Sequence, residues 1–151
     1  MNRKLTLSFV IYAVCAIVMI AIGLSFELRN EFMPFHSDVI QTEWQSVEAK
    51  SQILYLGMMR TEGAGFLATA TALLFLLYFP FRKFEKWSYW AMTVIGVVEC
   101  LPSFLANYYV STVTSASPPW WLMLALMLSL TLALVLATMG SNEKLQKDAL
   151  T

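Results

Sequence analysis

Four times in 151 residues the chain runs on apolar side chains for about the thickness of a bilayer, and nothing else restricts its fold as strongly. Leu5 to Phe26 carries no charge. The next run is apolar from Gly63 to Phe79, with a more polar approach that includes Arg60 and Glu62. Ser88 to Val110 holds a single charge, Glu99, and Trp120 to Met139 holds none. Only 13% of the residues are charged and 58% are hydrophobic, where a soluble domain carries about 25% charged residues. A 17.1 kDa globule has too little interior to hide that much apolar surface. The expected fold is therefore an all-α membrane protein, a single domain of four transmembrane helices in one bundle. The spans are expected near 55–79, 88–110, 120–139 and, first in the chain, 5–26. Cleavage of the first run as a signal peptide is not expected, because it exceeds the roughly 7–15 apolar residues of such a segment.

Orientation follows from the basic residues. Arg3, Lys4, Arg82, Lys83, Lys86, Lys144 and Lys147 all fall on one side of a four-span topology. The opposite side has Arg29, Lys50 and Arg60 but collects Glu27, Glu31, Asp38, Glu43, Glu48 and Glu62. Lysine and arginine are retained on the cytoplasmic side, so both termini are expected there. The formal net charge is zero, which points to no nucleic-acid partner. Membrane lipid is the expected surrounding.

The connections differ in length. Pro80 to Trp87 is a tight basic turn, and Ser111 to Pro119 is a short polar one. The segment 27–54 is long and external. In it Ile40, Trp44, Val47 and Leu54 recur near helical spacing, predicting an interfacial helix that runs on into the second span. Such a segment serves either as a headgroup anchor or as a lid over the outer mouth of the bundle. Residues 141–151 read as a polar cytoplasmic tail with fraying helix.

Glu99 is the most demanding side chain. At 1.5 Å per residue it lies about 18 Å into its span, near the middle of a ~30 Å hydrocarbon core. A charged residue there costs roughly 2.5–3.5 kcal/mol, so the carboxyl should face into the bundle. Pro102 cannot donate to the carbonyl of Val98, which leaves a second polar group close by. Glu99 then either takes part in a ligand or proton site or serves packing through a hydrogen bond to a neighbouring helix. Arg60 falls at the outer boundary of the second span. It reaches Glu99 only across tilted helices or water, and otherwise extends to the interface. Arg60 and Glu62 lie two residues apart and face different ways. Asn107 and Tyr108 stand two turns beyond Glu99, at the depth of Arg60 and Glu62.

The strongly polar residues within the spans thus gather in the outer half. The sole histidine, His36 in MPFHSD, lies on the external segment beside Asp38. It is a candidate acid–base group, with an ordinary solvated or capping residue as the alternative. Cys15 and Cys100 sit apart in apolar runs and read as small buried hydrophobes. One histidine with two distant cysteines makes no structural zinc site, and no metal or cofactor is expected. In GAGFLATATA, small residues one turn apart allow close helix approach, within the bundle or in a homodimer. Trp87, Trp90, Trp120 and Trp121 flank spans where interfacial anchors belong.

The strings FMPFHSD, MMRTEGAGFLATATALL, YFPFRKFEKW and SPPWW, with Trp44 between the first two, carry a resemblance. Over roughly residues 32–121 the chain resembles a group of small bacterial four-span integral membrane proteins of uncharacterised function. The resemblance implies four helices and the inner membrane of a bacterium, and it implies no catalytic role for any residue. The functional expectation is an outward-opening polar cavity formed by Glu99, Arg60, Glu62, Asn107, Tyr108 and His36, binding a small lipophilic or amphipathic ligand. The alternatives are a membrane enzyme acting on a lipid or isoprenoid, a structural subunit of a larger complex, and a proton-coupled transporter.

Overall fold

The computed structural model describes residues 2–148, with side chains described as far as Glu143. It contains five α-helices and no strand among the described residues: α1 (Arg3–Glu27), α2 (Pro34–Ile40), α3 (Ala49–Tyr78), α4 (Lys86–Val113) and α5 (Trp120–Asp148). Four of them, α1, α3, α4 and α5, are long and apolar enough to cross a membrane. The protein is a multi-pass helical bundle. Ile17, Val98, Leu128 and Leu132 are all more than half exposed, and such a belt of bare aliphatic side chains finds its solvent in acyl chains.

The four long helices pack as a ring. α1 lies between α3 and α5, α4 closes against α5, and the α3–α4 seam is the least extensive of the four. Each helix buries a stripe with steps of three and four residues, the period that keeps one face turned inward. On α1 this stripe is Leu5, Ser8, Tyr12, Cys15, Met19 and Gly23. On α3 it is Met59, Gly63, Phe66, Thr69, Leu73 and Leu77. The stripe of α4 stops at Cys100, and nothing on that helix is buried from Leu101 to Val113. The loss of core begins where Pro102 interrupts the helix ladder.

α1 and α3 touch through glycines. A Cβ added at Gly63 would stand 2.9 Å from the Gly23 carbonyl oxygen, and one at Gly23 would stand 2.8 Å from that of Gly63. Only hydrogen at both positions lets the backbones come this close. The small-residue pattern of the second span is used here inside the bundle, at Gly63. Ala64 and Ala68 remain exposed.

The end of the bundle where α1 begins is tied by polar contacts. The Asn2 side chain accepts from Leu5 N and donates to the Gly140 carbonyl at 2.8 Å, while Lys4 pairs with Glu143. The turn between α3 and α4 sits at this end, since Lys86 Nζ donates to Asn142 Oδ1 at 3.0 Å. That turn drives the fully buried Phe81 into the core against Phe9, Tyr12 and Tyr89. Above it lies a buried node. The Tyr12 hydroxyl is 2.8 Å from Thr93 Oγ1 and donates to the Tyr89 carbonyl, and Ser8 Oγ donates to the Ala133 carbonyl at 2.7 Å.

The segment between α1 and α3 departs from one expectation. Its pattern predicts a single helix running into the second span, but α2 ends at Gln41, whose left-handed backbone (φ 51°) turns the chain. A short 3-10 turn follows at Trp44–Ser46, and α3 starts afresh at Ala49. Ile40, Trp44 and Val47 do share a surface, because they pack on a small second core of Phe32, Met33 and Met59. Leu54 is 63% exposed and stands outside it. Hydrophobic spacing alone does not report a left-handed residue. α5 continues as helix to Asp148, and the expectation for residues 149–151 lies outside the described residues.

Candidate functional site

Where α4 ceases to bury its side chains, a space of about 360 Å³ opens between three helices. α3 supplies Tyr55, Met58, Met59 and Glu62 to its wall, and α4 supplies Ser103, Ala106, Asn107 and Val110. Phe35, His36, Val39 and Ile40 of α2 roof it, and Phe26 of α1 closes the back. Helical spacing explains the alignment. Tyr55, Met59 and Glu62 lie at steps of four and three along α3, as Ser103, Ala106 and Val110 do at steps of three and four along α4. The lining is mostly apolar with a few polar groups converging on it, the usual make-up of a small-molecule site.

Those polar groups are arranged as follows. Ser103 Oγ donates to Glu62 Oε1 at 2.9 Å, tying α4 to α3. Asn107 Nδ2 donates to the Ser103 carbonyl at 2.8 Å, so its side-chain oxygen is the end left to accept. The His36 ring is packed edge-on to Phe35 and Phe32, with centroids 4.4 and 6.2 Å away, and its Nδ1 is buried without a hydrogen-bond partner. Burial pushes the His36 pKa below its ordinary value, which favours the neutral ring.

Of the residues expected to share one cavity, His36, Glu62 and Asn107 do so. Glu99 stands one turn below Ser103 in the α3–α4 seam and does not line the space. Its Oε2 accepts from Thr69 Oγ1 at 3.4 Å, and its Oε1 lies 2.7 Å from where a Gly65 Cβ would sit. The carboxyl occupies a niche made by a glycine. Arg60 is exposed on the outer face of α3, does not line this space and makes no ion pair among the described residues. Two positions of helix separate its direction from that of Glu62 by more than a right angle. Tyr108 faces outward too, stacked on Phe104 and edge-on to Trp120 at 5.7 Å.

Sequence reasoning missed Ser103, Thr69 and the apolar wall of Phe35, Val39 and Met58. A signal for the first two existed: a buried carboxyl needs a donor, and a hydroxyl at matching depth on a facing helix can supply one. It also missed the Tyr12 node, although a tyrosine in mid-span demands a partner for its hydroxyl. Among the described residues no cluster of three or more His, Cys, Asp or Glu side chains could hold a metal ion. No protein-family model, no curated protein and no solved structure matches this chain.

Proposed function

We propose that the protein binds a small amphipathic molecule in the space between α2, α3 and α4, at the outer half of a bacterial inner membrane. The carrying observation is the composition of that wall, in which Glu62, Ser103, Asn107 and His36 converge on a surface otherwise built from Phe, Tyr, Val, Ile, Met and Ala. A molecule that is polar at one end and apolar over the rest satisfies both parts. Its volume, about 360 Å³, falls in the range of known ligand sites of roughly 300–1,000 Å³. The orientation comes from charge. The basic turn holding Arg82, Lys83 and Lys86 shares one end of the bundle with Asn2 and Gly140, which supports a cytoplasmic location for that end, with α2 on the far side. The resemblance to bacterial four-span proteins supports the same membrane. Glu99 then sits beneath the floor of the site as a packing group.

The test uses the full chain in lipid nanodiscs with a hexadecanol that carries a photoactivatable diazirine. Saturable labelling confined to α2, the outer part of α3 and α4 after Cys100 is the expected result. Ala106→Trp, at an exposed residue on the wall, should abolish it while leaving the melting temperature in place. Labelling spread evenly over every lipid-facing surface, unaffected by Ala106→Trp, would overturn the reading.

A further inference from the structure

The cavity is not sealed from the membrane. A second, more open depression of about 790 Å³ runs along the outside of the same seam, bordered by Ile53, Leu54, Gly57, Thr61 and Pro102. Met58, Glu62, Ser103 and Ala106 line both spaces. The only material between them is therefore one layer of side chains, tied across by the hydrogen bond from Ser103 to Glu62. Ile53 and Leu54 are 73% and 63% exposed, so the groove presents bare aliphatic surface at the outer end of the span, where headgroups give way to acyl chains.

Charge chooses the head of what enters. Glu62 faces both spaces, and among the described residues neither it nor Glu99 has a cationic partner, the one ion pair being Lys4 with Glu143 at the opposite end. The nearest arginine in sequence, Arg60, points away. Glu62 keeps one carboxylate oxygen free of the Ser103 bond, and the Asn107 side-chain oxygen can accept as well. A carboxylate or phosphate head would meet Glu62 with like charge in a medium that screens little. An ammonium brings three donors and the missing charge.

Building on the ligand-binding reading above, we infer that the occupant enters sideways from the lipid through this groove. It is a single-chain amphiphile with a protonated amine head, the ammonium set against Glu62 and the chain leaving the groove past Pro102 toward the acyl chains. The Glu62–Ser103 bond is the contact it opens on the way in.

Three diazirine probes of equal chain length, hexadecylamine, hexadecanol and hexadecanoic acid, separate this claim from its parent. In the wild-type protein the amine should label the cavity at about one tenth of the concentration the alcohol needs, since a charge-assisted bond exceeds a neutral one by about that factor. The acid should label least. Glu62→Gln should remove the amine's advantage, so that amine and alcohol label at similar concentrations. Gly57→Phe, at a site where an added Cβ meets nothing within 4 Å, should slow labelling by filling the groove without disturbing the fold. Equal labelling by amine and alcohol, or an amine preference that survives Glu62→Gln, would refute the head assignment while the cavity stands. Unchanged kinetics in Gly57→Phe would refute the lateral route. Failure of all three probes would remove the binding reading itself.

Discussion

Gly63 and Gly57 lie two turns apart on the same helix and have opposite duties. A methyl at Gly63 meets the Gly23 carbonyl and the Phe26 Cβ within 3.0 Å, and backbone cannot step aside as a side-chain tip can. Gly63→Ala should cost about 1–3 kcal/mol, typical of overpacking, read as a fall in melting temperature in detergent. Gly57→Ala, in open space, should leave that temperature unchanged or higher. His36 supplies a pH response. Because burial lowers its pKa, the unfolded chain binds the proton more readily between the ordinary value of about 6.5 and the lowered one. Stability is therefore whole above that window, falls as pH falls through it, and levels off below it. Melting curves from about pH 7.5 down to about pH 5 should show this slope in the wild type and a flatter one in His36→Gln. Some of this detail was open to sequence reading and some was not. The apolar runs announce burial in lipid, and Glu99 announces an inward-facing carboxyl. That Gly65, of all the small residues near it, makes room for that carboxyl depends on the rotation of α3 against α4, which no spacing rule contains.

Between elements, cohesion is uneven. α1, α4 and α5 are joined in the termini-proximal half by the Tyr12–Thr93–Tyr89 node and by Thr93 Oγ1 donating to the Leu130 carbonyl at 3.3 Å. α3 and α4 are joined by isolated contacts, Thr69 to Glu99 and Ser103 to Glu62. Tyr12→Phe removes the hydroxyl and should destabilise the bundle by about 1 kcal/mol, within the range measured for hydrogen bonds between membrane helices. Reversible unfolding in mixed micelles would measure it. A change indistinguishable from zero would show the node to be incidental. The four long elements were legible because each is a run of suitable length, and the turn at 80–87 because of its proline and basic residues. The external segment was only half legible. Its apolar positions do cluster, yet the bend at Gln41 that folds them over Met59 comes from a residue type with no strong preference for that backbone.

At the scale of the whole molecule, Asn2 and Gly140 stand together at one end of the bundle, as an even number of crossings between them requires. Cys15 and Cys100 are buried, with 2% and 0% exposure, so a membrane-impermeant maleimide would report only on introduced thiols. Ser46→Cys should label in intact cells and Lys83→Cys only after lysis, and the reverse pattern would invert the topology. One more consequence lies in the order of the ring. α1 settles between α3 and α5, and its Ser8 hydroxyl finds its acceptor on Ala133. Until α5 is in place, that hydroxyl has no partner and the face of α1 turned toward α5 is bare to the bilayer. A chain arrested before Ala133 should therefore fall to proteolysis in the membrane faster than the full chain, displaying a polar group that the finished fold conceals.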